Sequence, residues 1–119
     1  MIINLDDVKN IYVASDYVDM RKSIDGLMLI VYHEFNLDVL DHSLFIFTNR
    51  ARNRIKILFY ENNGFWLLMK RLEHGKFKLN YDPINKIKVL NEFQLKWLLE
   101  GLDYTKIPSK TQPQKTLLY

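Results

Sequence analysis

Residues 43–72 read SLFIFTNRARNRIKILFYENNGFWLLMKRL, and this stretch decides the fold class. Residues 43–48 are mostly aromatic and β-branched. Residues 54–60 alternate charge with Ile55, Ile57 and Phe59, and residues 65–72 are largely aromatic and aliphatic. Such runs suit a pleated, half-buried surface. Between the second and third lies Glu61-Asn62-Asn63-Gly64. Asn and Gly tolerate positive φ, so Asn63-Gly64 predicts a two-residue hairpin turn and an antiparallel sheet.

Upstream, residues 10–14 predict a short strand. From Met20 to about Asn36 the apolar period becomes helical: Met20, Ile24, Leu27, Met28, Val31 and Phe35 form one stripe. Asp19 suits the N-cap of that helix. Gly26 inside it costs roughly 1 kcal/mol relative to Ala, which close packing against a neighbour would explain. Downstream, residues 73–76 predict a second turn, with His74-Gly75 at its centre, leading into a short strand at 77–80. Residues 87–90 predict another strand. Asn91 caps a helix to about Leu102, with Phe93, Leu95, Leu98 and Leu99 apolar and Gly101 at its end. The expected architecture is α+β: a single domain over residues 1–104, with an antiparallel sheet of about four to five strands, one long helix and one short C-terminal helix. Residues 105–119, with two prolines, three lysines and no periodicity, are expected to form a flexible tail.

Composition narrows the function classes. The chain has 119 residues, 48% hydrophobic and 26% charged, the range of an ordinary globular domain. It has no cysteine, so disulfides, thiolate catalysis and cysteine-based zinc sites are excluded. The apolar stretch 27–32 is far too short to span a bilayer, and the first residues lack signal-peptide features. A cytoplasmic protein is expected. The net charge of +3 is unevenly spread. Residues 1–47 carry a net −5, residues 48–78 a net +6 and residues 79–119 a net +2. A basic middle is either a solvated face or a site for phosphates or an acidic partner.

No Gly-rich phosphate loop, nucleophile elbow or His-Glu-x-x-His helix occurs. His33, His42 and His74 lack ligand spacing. Asp16, Asp19 and Asp25 read as capping and as pairing with Arg21 and Lys22 rather than as a metal cluster. No catalytic residue, metal or cofactor is expected. Arg50, Arg52, Arg54 and Lys56 recur every second residue, which places them on one side of an extended chain. With two-residue turns at Asn63-Gly64 and His74-Gly75, Lys56, Arg71 and Lys78 form a row across three strands. Like charges directly opposite destabilise a sheet, and a phosphate backbone is one partner that neutralises them. Lys70 falls on the side of Ile55, Ile57 and Phe59, the expected core, so its ammonium must snorkel to an edge or a bulge must intervene. The candidate binding residues for nucleic acid or an acidic partner are Arg50, Arg52, Arg54, Lys56, Lys70, Arg71 and Lys78. The aromatics among them, Phe59, Tyr60, Phe65, Trp66 and Phe77, are expected mainly in the core, with base stacking as the alternative.

Three motifs carry a resemblance over about residues 11–104. The first is Asp19-Met20-Arg21-Lys22-Ser23-Ile24-Asp25-Gly26-Leu27, in which Asp19, Arg21, Lys22, Asp25 and Gly26 are family-motif positions that a structural role would also explain. The second runs from Leu44-Phe45-Ile46-Phe47 through Arg50 and Ile55-Lys56-Ile57-Leu58 to Lys70-Arg71-Leu72-Glu73. The third is Leu98-Leu99-Glu100-Gly101-Leu102-Asp103. In order and spacing these resemble the TnpB-type accessory protein, the second open reading frame product, of bacterial insertion sequence family sixty-six. The chain departs from it at Tyr60-Glu61, where Trp-Asp is usual, and at Arg50-Ala51-Arg52, where two adjacent arginines are usual. Tyr81-Asp82-Pro83 stands near the usual Trp-Pro. The resemblance implies a part in DNA transposition, with the transposase and another element-encoded protein as partners. From the residues, a non-catalytic factor that binds DNA, the transposase or both through a basic sheet face is expected. The alternative is a protein–protein adaptor that never touches DNA.

Overall fold

A computed structural model describes residues 3–108. It contains five strands and two α-helices in the order β1 (Ile11–Ala14), α1 (Ile24–Phe35), β2 (Leu44–Thr48), β3 (Arg54–Glu61), β4 (Gly64–Arg71), β5 (Ile87–Leu90) and α2 (Glu92–Leu99). The strands form one sheet in the order β4-β3-β2-β1-β5. The fold is α+β, as expected. The sheet is mixed rather than purely antiparallel, because β1 and β2 run parallel, with Ile11 beside Leu44. A parallel pair needs a long crossover, and α1 supplies it.

Both sheet faces are covered. On one, Ile11, Val13, Leu44, Ile46, Ile55, Ile57 and Phe59 pack with Leu95 and Leu98 of α2. On the other, Ala14, Phe45, Phe47 and Leu58 pack with Leu27 and Val31 of α1. All five residues of β2 are buried, as expected for a strand central in the sheet and covered on both sides. The face opposite Ile55, Ile57 and Phe59 is therefore a second core, not the open basic surface anticipated.

Helix α1 starts four residues later than its apolar stripe. Its N-cap is Ser23, whose side chain makes no capping bond. Asp19 instead accepts the Arg21 N–H at 2.9 Å and pairs with the Arg21 guanidinium. Ahead of the helix, the Lys56 ammonium takes the carbonyls of Met20 and Lys22, each at 2.7 Å. Carbonyls held this way are not free to open the helical ladder. Gly26 does have a close neighbour: a Cβ there would lie 3.3 Å from the Lys22 Cβ.

The hairpin turn falls one residue earlier than expected. Glu61 pairs with Gly64, so Asn62-Asn63 is the loop, and Asn62 takes the positive φ of 56°. Residues 77–80 do not form a strand. Phe77 and Leu79 nevertheless alternate into the core, 2% and 7% exposed. Helix α2 starts as expected, with Asn91 and Gln94 forming a reciprocal capping box, and ends at Leu99 rather than about Leu102, with Gly101 at φ 79° just past the end. Beyond it, Tyr104–Lys106 make a 3₁₀ turn, and the Gln94 side chain donates to the Ile107 carbonyl at 2.9 Å. Most of the expected tail, residues 109–119, lies outside the described residues.

Candidate nucleic-acid interface

The register disposes of the basic row. Lys56 stands opposite Met69, and Arg71 stands opposite Arg54. Lys78 is not on a strand at all. Lys56 and Lys70 also have internal employment. Lys56 holds the loop before α1, and Lys70, opposite Ile55, sends its ammonium to the Leu99 carbonyl at 2.6 Å. The snorkelling expected of Lys70 thus ends at the C-terminus of α2, where unpaired carbonyls favour a cation.

Arg50, Arg52 and Arg54 are not aligned on an extended chain either, because residues 49–53 form a tight loop between β2 and β3. The Asn49 side chain accepts the N–H groups of Asn53 and Arg54, each at 3.0 Å, and donates to the Asn53 side chain at 2.7 Å. The Arg52 N–H closes onto the Asn49 carbonyl at 3.1 Å, with Arg52 in the left-handed region at φ 61°. Asn-rich loops suit this arrangement, since a short amide side chain mimics a backbone turn.

The loop sorts the arginines by direction. Arg50 is exposed and its guanidinium lies over the Tyr17 ring, 5.5 Å from the centroid, a cation–π distance. Arg54 is exposed at the start of β3 beside Arg71, which ion-pairs with Glu73 at 2.8 Å. That acid offsets the repulsion between the two arginines. Arg52 turns inward. Its Nη1 is buried and has no hydrogen-bond partner among the described residues.

The chain after β4 returns to the same loop. The Leu72 N–H donates to the Asn53 carbonyl at 2.8 Å, and the Phe77 N–H to the Arg52 carbonyl at 2.7 Å. Phe77 and Leu79 point into the core, so Lys76 and Lys78 between and beside them face solvent. Arg52, Lys76, Lys78, Asn80 and Asp103 line an open cleft of about 400 Å³. The Thr105 hydroxyl and N–H, with smaller help from Lys106 and Lys78, hold the Asp103 carboxyl below its ordinary value. Burial pushes the neighbouring Tyr104 phenol up; Asp103 adds to the rise and Arg52 opposes it.

Five of the seven basic residues singled out by sequence, Arg50, Arg52, Arg54, Arg71 and Lys78, thus gather at one end of the sheet. Lys56 does not join them, and Lys70, although next to Arg71, has its ammonium on the Leu99 carbonyl. Lys76 was missed as an individual site residue, although its alternation with Phe77 and Leu79 marks it as outward-facing. Among the aromatics, Phe59 and Phe77 are core, Tyr60 and Phe65 meet edge to face at 5.1 Å, and Trp66 is 45% exposed with its indole N–H on Glu61. Among the described residues no group of three His, Asp or Glu side chains is placed to hold a metal ion, and no helix is long and apolar enough to cross a membrane.

Comparison with known proteins supplies the context. The model of the IS66 Orf2-like proteins matches residues 9–109. An uncharacterized protein of Sinorhizobium fredii, y4hO, is 30% identical over 105 residues, which span 88% of this chain and 90% of that protein. A second from the same organism, y4jC, is 27% identical over 107 residues, spanning 89% and 90%. No solved structure matches the chain. The family model covers most of the chain, including the β1-α1-β2 crossover, the basic loop and α2, and the chain belongs to the IS66 Orf2-like family, the accessory proteins of an insertion sequence.

Proposed function

We propose that the protein serves transposition as a non-catalytic factor that grips the phosphate backbone of DNA with the basic end of its sheet. The observation that carries this reading is the open cleft lined by Arg52, Lys76 and Lys78, at the end of the sheet where Arg50, Arg54 and Arg71 also stand. Cations that converge on an open cleft attract an anion, and a guanidinium matches the geometry of a phosphate. Arg50, Arg54 and Arg71, at the same end, extend the positive surface beyond one phosphate. Among the described residues no helix with a base-reading face adjoins them, so binding is expected to be sequence-independent and steeply salt-dependent.

Fluorescence anisotropy with duplex DNA at two salt concentrations tests the reading. Affinity should fall with salt, and removing Arg52 or Lys78 should lower the slope of log K against log salt by about one unit per lost contact. Salt-independent affinity, or no DNA binding together with capture of the transposase by the same surface, would replace it with the adaptor reading.

A further inference from the structure

β4 is an edge strand with an unusual exposure pattern. It is eight residues long, it pairs with β3 without interruption, and none of its residues is buried. Its middle, Phe65-Trp66-Leu67-Leu68-Met69, is uncharged and apolar on both faces, with Trp66 45% and Met69 61% exposed. Long, regular, apolar edges are templates for further pairing. The opposite edge, β5, has only four residues.

The free backbone groups can be assigned. A two-residue loop is closed by a hydrogen-bonded pair, so Glu61 and Gly64 exchange bonds, and the pattern alternates along the hairpin. The Leu72 N–H on the Asn53 carbonyl continues that alternation at the far end. Gly64, Trp66, Leu68 and Lys70 therefore bond to β3. Phe65, Leu67, Met69 and Arg71 direct their N–H and C=O groups outward, and among the described residues no hydrogen bond reaches those N–H groups.

We propose that β4 pairs antiparallel with β4 of a second copy of this chain, joining two five-stranded sheets into one. A two-fold axis perpendicular to the sheet keeps each face on its own side, so residues directly opposite must be both odd or both even in number. One register satisfies all four outward residues. It sets Leu68 against itself, Leu67 against Met69 of the second copy, and Phe65 against Arg71. On the other face the same register sets Trp66 against Lys70 of the second copy. Each cationic residue then meets an aromatic one, and no like charges face each other. A shift by two residues either way strands the outward groups of Arg71 or of Phe65. The self-complementarity of this register selects a second copy over a foreign strand. The inference does not rest on the DNA reading: its interface leaves the 49–53 loop and the Arg52 cleft uncovered, and Arg71 alone belongs to both surfaces.

Sedimentation velocity of the full chain at micromolar concentration is the first test, and a dimer is the expected result. Leu67→Pro removes an outward N–H and leaves the β3 ladder its bonds. It should halve the observed mass with the circular dichroism spectrum retained. Because the chain has no cysteine, Leu68→Cys provides a second readout that survives if the proline variant does not fold. Opposed non-hydrogen-bonded positions lie within disulfide reach, so Leu68→Cys should oxidise to a covalent dimer and Val89→Cys on β5 should not. A monomeric full chain, a folded Leu67→Pro that remains dimeric, or cross-linking at Val89 rather than Leu68 would overturn the proposal.

Discussion

The Lys70 ammonium lies 2.6 Å from the carbonyl of Leu99, tying the edge strand β4 to the last residue of α2. The bond explains how a lysine opposite Ile55, on a core-facing position, is tolerated. Its stem covers apolar surface while its charge answers a helix terminus. Lys70→Met keeps the stem and loses the bond, and should lower stability by about 1 kcal/mol. Lys56→Met loses two carbonyl contacts and should cost about 2 kcal/mol. Urea unfolding measures both, and DNA affinity of the folded variants should change far less than for the loop arginines.

Arg52 allows binding and stability to be separated. Its φ of 61° is costly for a residue with a Cβ and free for glycine. Arg52→Gly should therefore unfold at the same or higher denaturant, with a gain of up to about 1 kcal/mol, while losing DNA affinity. Arg52→Ala keeps the strain and should lose the same affinity. Equal binding by wild type and both variants would remove Arg52 from the interface.

Asp19 is an acid-sensitive contact. The Arg21 guanidinium, followed by the Arg21 N–H, holds its carboxyl down from 3.8 to about 2. A group depressed on folding stabilises the native state above its unfolded value and loses that contribution as pH falls through the folded value. The loss should run from about pH 4 down to about pH 2. Asp19→Asn should flatten this part of the stability profile without affecting α1 itself, whose N-cap is Ser23. Thermal melts across the acid range would show it.

Phe77 tests the role of the segment after β4. It is 2% exposed, yet it belongs to no strand. Phe77→Ala should cost about 3–5 kcal/mol, the range for a buried aromatic ring. Lys76→Ala and Lys78→Ala, whose side chains face solvent, should be nearly neutral in the same denaturation experiment.

Local patterns carried much of the fold in the sequence. The β-rich run 43–72, the stripe from Ile24 to Phe35 and the Asn91 cap depend on neighbours a few residues apart, so they are legible in order. Beyond the β3-β4 hairpin, strand neighbours were not legible in that way. Nothing near Ile11 says that it lies between Leu44 and Leu90. Alternation put Lys56 on the face away from Ile55 correctly, but it carried no information about α1 covering that face. The start of α1 depends on a lysine more than thirty residues away. In the candidate site, an every-second spacing of arginines implied an extended chain, whereas Asn49 folds that stretch into a loop. The positive segment was visible as composition. Its convergence at one end of the sheet needed the return of Phe77 to the Arg52 carbonyl.

The position of β1 has a consequence during synthesis. Of the five strands described it emerges first, and its outer neighbour β5 emerges last, with α2 later still. The meander of β2, β3 and β4 has short-range contacts and can assemble early, but closing β5 on β1 joins distant parts of the chain. Until then a nascent molecule exposes the outer edge of β1 and the apolar face that Leu95 and Leu98 will cover. Such an exposed edge and apolar face invite misassociation, and the speed with which residues 87–99 dock sets how long they stay open.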